Sequence, residues 1–174
     1  MILDKKVALV TGASRGVGKG IALSLAEAGM LVYITGRTIS EGNTDSKLAG
    51  TIFQTQAEIE ERGGLCKALQ CDHKDDQQVK MVFDQIHKEH QQIDILVNNV
   101  GGSAAGGPVE MSEEVWDSQV DSNLKSVFLT CKHVLPIMEA QGSGGIINIA
   151  STSGIRWTGS AQVAYAATKA GVIQ

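Results

Sequence analysis

Tyr165 and Lys169 stand four positions apart, a spacing that on a helix puts both side chains on one face. A phenolic hydroxyl can hand a proton to a developing alkoxide. A free phenol, with a pKa of about 10, needs a partner that favours its ionised form before it exchanges protons readily near neutrality. The ammonium of Lys169 is such a partner. Ser151 directly follows an apolar stretch and can donate a hydrogen bond to an oxygen on which negative charge builds. Thr152 and Ser153 are alternative donors; Ser151 is preferred because it ends the apolar stretch. A proton donor, an adjacent cation and a hydroxyl suit the reduction of a carbonyl, or its reverse. The same spacing also arises by accident, so the trio calls for a hydride source elsewhere in the chain.

A glycine-rich segment supplies the place for one. Thr11-Gly12-Ala13-Ser14-Arg15-Gly16-Val17-Gly18 lies between an apolar run and a helical pattern. Glycines there let the backbone turn tightly and approach a pyrophosphate, while the helix N-terminus offers free N–H groups and the positive end of its dipole. The spacing G-x-x-x-G-x-G differs from the commoner G-x-G-x-x-G, and alone it could be a plain strand-to-helix turn. The second apolar run ends in Gly36-Arg37. An acidic side chain at that place binds a ribose diol, whereas an arginine accommodates a 2′-phosphate. Arg37, helped by Arg15, therefore favours NADP over NAD, with NAD still possible.

Taken in order, Thr11-Gly12-x-x-x-Gly16-x-Gly18, Asn98-Asn99-Val100-Gly101, Ser151 and Tyr165-Ala166-Ala167-Thr168-Lys169 resemble the short-chain dehydrogenase/reductase family along the whole chain. The resemblance implies a doubly wound α/β fold of Rossmann type and hydride transfer between nicotinamide and a carbonyl or alcohol substrate. It assigns Gly12, Ser14, Arg15, Gly16, Val17 and Gly18 to the phosphate turn. Asp72 is assigned to the adenine amino group, and Asn99 and Gly101 to the segment behind the adenosine ribose. Val100 replaces the family's alanine in that segment. Asn123 resembles the helix asparagine that organises a proton-relay water, and Ser151, Tyr165 and Lys169 resemble the catalytic trio, with Lys169 also holding the nicotinamide ribose. A homo-oligomer, joined through the catalytic helix and the helix before Ser151, is implied for the full-length form. Enoyl reduction and sugar epimerisation fit the tyrosine–lysine spacing and the glycine turn less well. A non-catalytic dinucleotide-binding fragment or sensor of the same fold is the rival reading.

The elements that must position these residues follow from periodicity. Val7 to Thr11 and Leu31 to Thr35 read as buried strands, followed by strands over Leu65 to Cys71, Ile93 to Val97 and Ile146 to Ala150. Val17, Ile21, Ala22, Leu25 and Ala28 recur at helical spacing, with Gly29 as the stop. A polar loop spans Thr38 to Gly50, and a helix about Thr51 to Arg62 is closed by Gly63-Gly64. Val79, Val82, Phe83 and Ile86 mark the next helix, Ser112 caps another that runs on through Val127 and Leu135, and a last helix starts near Val163. Strand and helix alternate, which calls for a parallel sheet with helices on both faces. The chain reaches Gln174 inside a helix that has only begun, which reads as one Rossmann domain over residues 1–174 whose last strands are missing.

Composition bounds the rest. The 174 residues carry a formal net charge of -4 and no basic block, so nothing points to nucleic acid. Cys66, Cys71 and Cys131 form no metal or disulfide pattern, which fits a reducing cytosol. His87 and His90 share a helix face, but no carboxylate or cysteine completes a metal set, so no metal is expected. Met1 to Lys6 lack the apolar core of a signal peptide, and no run is long enough to span a bilayer. A soluble cytoplasmic protein acting on a small molecule is expected.

Overall fold

A computed structural model of the chain describes residues 6–41 and 48–174. Five strands form one parallel sheet in the order β3-β2-β1-β4-β5: β1 Val7–Thr11, β2 Leu31–Gly36, β3 Leu65–Gln70, β4 Ile95–Asn98 and β5 Gly145–Asn148. Among the described residues six α-helices alternate with them: α1 Gly16–Glu27, α2 Ile52–Glu61, α3 Asp76–His90, α4 Glu113–Val120, α5 Ser126–Gln141 and α6 Val163–Ile173. This is the doubly wound architecture expected of alternating strands and helices. The middle of the Thr38–Gly50 loop, residues 42–47, lies outside the described residues, as does the start of the chain through Lys5.

Two apolar clusters hold the layers together. On one face Leu9, Tyr33, Leu96, Val79, Phe83 and Ile86 pack with Leu129 and Val134, so α3 and α5 cover the sheet. On the other, Ala8, Val10, Val32 and Ile34 meet Ala22, Ala26, Ile52 and Ile59 of α1 and α2. β1 is buried along its whole length because it has strands on both sides and helices above and below. Among the described residues no helix is long and apolar enough to cross a membrane.

Helix starts follow local chemistry. Thr51 and Gln54 make a reciprocal capping box on α2, Asp75 accepts from the N–H groups of Gln77 and Gln78 on α3, and Ser112 accepts from Val115 on α4. α1 has no side-chain cap: Arg15 occupies that position and makes no capping bond.

The ends of β4 and β5 differ from the sequence expectation. Ile93 and Asp94 lie outside β4, where side chains join the main-chain pairing. Ile93 N–H donates to Gln141 Oε1 at 2.7 Å, and the Asp94 carboxylate accepts from Val7 N at 2.7 Å. The strand instead continues to Asn98, which pairs with Asn148. β5 stops before Ile149, whose carbonyl is taken by Lys169.

α4 and α5 are one continuous helical run interrupted by a π-helical turn over Asp121–Lys125. A ladder of hydroxyls accompanies it. Ser122 Oγ donates to Ser118 O at 2.6 Å and Ser126 Oγ to Ser122 O at 2.7 Å, and Thr130 Oγ1 lies 3.1 Å from Ser126 O. Such back-bonding loads the carbonyls of a helix and bends it. The bulge contains Asn123, which is fully buried.

Candidate active site

The glycine turn leaves β1 and enters α1 as expected. Gly12 and Gly16 adopt left-handed backbone at φ +68° and +58°, which disfavours any side chain. Gly18 is required for a different reason: a Cβ there would lie 2.3 Å from Asn99 Nδ2 and 2.5 Å from Gly12 O. At Gly16, by contrast, no heavy atom lies within 4 Å of where a Cβ would be, so the turn is open on that side. An open turn leading into an uncapped helix N-terminus fits a pyrophosphate, whose oxygens would take the N–H groups that side chains satisfy elsewhere.

The Asn98–Gly101 segment braces that turn. Thr11 Oγ1 accepts from the N–H groups of Asn99 and Val100 at 2.9 and 3.2 Å. Val100 lies against Gly12, its Cγ2 3.1 Å from where a Cβ of that glycine would stand. Asn98, buried in β4, donates to Asn148 Oδ1 at 2.9 Å and accepts from Thr130 Oγ1 at 2.7 Å. Its amide thus ties β4, β5 and α5 together just below the site, a linkage the sequence motif did not disclose.

Arg15 reaches away from the turn, its Nη2 donating to Thr38 Oγ1 at 3.2 Å and Gly50 O at 2.9 Å. It closes the loop that Arg37, exposed at the end of β2, begins. Asp72 lies just past β3, its carboxylate accepting from Lys74 N at 3.1 Å. Its neighbour His73 is buried with Nε2 2.8 Å from Thr35 Oγ1, and burial pushes its pKa down to about 4.

The elements that carry the trio meet where β5 ends. Lys169 is buried on α6 and donates from Nζ to Ile149 O at 2.7 Å; the nitrogen lies 5.8 Å from the centre of the Tyr165 ring. Burial lowers the Lys169 pKa. Ser151 heads a short 3-10 turn, Thr152–Gly154, and its oxygen accepts from Ser153 N at 3.1 Å, leaving its own O–H to donate. Ser153 Oγ instead lies 3.3 Å from Thr158 Oγ1. Gly154 lets this turn lie on α6: a Cβ there would be 2.6 Å from Ala170 N and Lys169 C.

Asn123 locks the opposite wall. Its Oδ1 accepts from Gly102 N and its Nδ2 donates to Gly102 O, both at 3.0 Å, and Nδ2 also reaches Gln119 O at 3.0 Å. A Cβ on Gly101 would meet Asn123 Oδ1 at 2.4 Å and Lys169 Nζ at 3.6 Å, so these three residues converge. Of the expected site residues, Gly12, Gly16, Gly18 and Asn99 gather at the turn, and Gly101, Asn123, Tyr165 and Lys169 behind it. Gly154 and Gln119 are positioning residues that the motifs did not single out, and Asn98 is one to which its motif gave no role.

Residues 6–174 match the short chain dehydrogenase family model. The chain therefore belongs to the short-chain dehydrogenase/reductase family, whose members bind a nicotinamide cofactor. It is 38% identical over 171 residues to a 3-oxoacyl-(acyl-carrier-protein) reductase of Staphylococcus aureus, covering 97% of this chain and 64% of that protein. It superimposes with a TM-score of 0.88 on a short-chain dehydrogenase/reductase of Burkholderia xenovorans, at 45% identity, covering 99% of this chain and 66% of that one. A variant of the actinorhodin polyketide ketoreductase, solved with NADPH, gives a TM-score of 0.85 at 32% identity, covering 97% of this chain and 61% of that one. The chain thus spans a little under two thirds of these relatives.

Proposed function

We propose that the protein is an NADP-dependent carbonyl reductase, or the corresponding alcohol dehydrogenase. The observation that carries this reading is the convergence of Lys169, Gly101 and Asn123 beside Tyr165, one strand away from an open glycine turn. Gly12, Ser14, Gly16, Val17 and Gly18 would hold the pyrophosphate, Asp72 the adenine, Asn99 and Gly101 the ribose side, and Arg37, with Arg15, a 2′-phosphate. When bound, the nicotinamide supplies the hydride that reaches the carbonyl carbon.

Tyr165 gives its hydroxyl proton to the carbonyl oxygen as that carbon is reduced. Ser151 donates to the same oxygen while charge builds there. Its O–H is left over by the bond from Ser153, whereas Ser153 turns toward Thr158, which favours Ser151 as the donor. Lys169 keeps a cation beside the phenol, and the Ile149 carbonyl fixes where that cation sits. Asn123, its amide spent on Gly102 and Gln119, holds the loop under the site rather than touching the reacting atoms.

The test is NADPH oxidation with a panel of ketones, beside Tyr165→Phe. Turnover should fall about 10²–10⁴-fold in the variant, while NADPH still binds. A variant that keeps most of its rate would remove Tyr165 as the acid. A protein that binds NADPH and reduces none of the panel would favour the dinucleotide-binding module instead.

A further inference from the structure

Beside the trio lies a cavity of about 340 Å³ whose walls include Pro108, Ser153, Arg156, Trp157, Val163 and Ala166. That is the small end of the range for ligand sites, about 300–1,000 Å³, and suits a compact molecule. Two backbone hydrogen bonds clasp its walls together: Gly106 N donates to Ala161 O at 2.9 Å, and Val163 N to Gly106 O at 3.1 Å. Ser153 belongs to the turn headed by Ser151, and Val163 and Ala166 belong to α6, which carries Tyr165 and Lys169, so the cavity is bounded by the two elements that carry the trio.

Two features of its wall bear on what it could hold. Trp157 is 72% exposed, and Val109 at 90% and Ile155 at 74%, which adjoin the wall residues Pro108 and Arg156 in sequence, are uncovered as well. Exposed apolar surface of this kind around a cleft marks a binding site. Arg156 shares that wall with Trp157, and among the described residues its guanidinium makes no hydrogen bond or ion pair. The nearby carboxylate of Glu110 is committed elsewhere, accepting from Gly107 N at 3.1 Å.

We infer that this cavity takes a ketone whose apolar body ends in a carboxylate, Trp157 packing on the body and Arg156 binding the carboxylate. The inference rests on the reductase reading for the fate of the ketone, not for the binding. A planar guanidinium matches a carboxylate in two parallel bonds, and an apolar wall beside it strengthens the pairing. An indole face gives the adjoining carbon skeleton a large contact at little cost in conformational entropy.

Trp116 and Trp157 are the two tryptophans, so Trp116→Phe leaves Trp157 as the reporter. In that background, indole fluorescence is titrated with 4-acetylbenzoate and with its methyl ester. The acid should bind roughly 10–100-fold more tightly than the ester. Arg156→Gln should erase that preference while leaving ester affinity and melting temperature unchanged. Equal binding of acid and ester, or an Arg156→Gln variant that weakens both alike, would overturn the inference. NADPH oxidation is recorded with both compounds in parallel. Acid-selective quenching that depends on Arg156, without oxidation of NADPH by either compound, would support the pocket and count against the reductase reading. Oxidation by both with no Arg156-dependent preference for the acid would overturn the pocket and support the reductase.

Discussion

The side-chain amide of Asn99 donates to two successive carbonyls, Thr11 O at 3.0 Å and Gly12 O at 2.9 Å, and so sets the curvature of the glycine turn from the end of the neighbouring strand. Those carbonyls have to turn inward if the N–H groups of the turn are to face outward toward an anion. Asn99→Ala should therefore weaken NADPH binding about tenfold or more and cost about 1–3 kcal/mol of stability, from acceptors left without donors. Asn99→Asp should be worse than alanine, because a carboxylate cannot donate and would face two carbonyl oxygens. Isothermal titration and thermal unfolding check both, and an aspartate variant that binds as well as the original would remove this role.

Arg37 should select between cofactors. In Arg37→Asp, a carboxylate replaces a guanidinium where a 2′-phosphate would lie, so the preference for NADPH over NADH should reverse, with roughly a 10–100-fold loss of NADPH affinity. Fluorescence titration of both reduced cofactors measures this. Equal affinity of the unaltered protein for the two would count against Arg37 as the selector.

Gly154→Ala tests whether the turn after Ser151 is seated on α6. Its new methyl would press on backbone at Lys169 and Ala170, which cannot swing aside. A loss of about 1–3 kcal/mol is expected, together with lower turnover, because Ser151 and the trio's helix would be pushed apart. Unchanged melting and unchanged turnover would show that the contact relaxes freely.

His73 should make the fold sensitive to mild acid. Its folded pKa, about 4, lies below the ordinary 6.5 because burial disfavours the cation. The unfolded chain therefore takes up a proton first. The stability this group contributes is whole above pH about 6.5 and is lost progressively as pH falls toward about 4, some ~3 kcal/mol in all. His73→Gln, which cannot titrate, should show a flatter melting-temperature profile across that window. Parallel profiles for the two proteins would place the acid sensitivity elsewhere.

The sheet, the glycine turn and the helix of Tyr165 and Lys169 were legible because each rests on local pattern: apolar runs, helical spacing, glycine at a turn. The ends of β4 and β5 were not. They are set by Gln141, Asp94 and Lys169, side chains that cap strands across 48, 87 and 20 positions of sequence. The π-helical turn was hidden for a related reason. Ser118, Ser122, Ser126 and Thr130 recur at four-residue intervals, but their hydroxyls can point outward as easily as back along the helix, and only tertiary packing decides. Similarly, nothing in the sequence around Arg15 indicates that it spans to Gly50.

Much of the site is built by side chains gripping main chain: Lys169 holds the carbonyl of residue 149, Asn123 both polar groups of residue 102, and Asn99 the carbonyls of residues 11 and 12. Each such contact constrains the amino acid that reaches out and leaves the recipient's identity open. A saturation library screened for activity should accordingly return a patchwork rather than a block of invariance. Gly101 and Gly102 make the contrast sharpest. A Cβ on Gly101 would strike Asn123 at 2.4 Å, whereas one on Gly102 would meet nothing within 4 Å. Two identical neighbours in the chain should thus differ completely in what may replace them, position 101 admitting glycine alone and position 102 admitting small and polar residues with little loss.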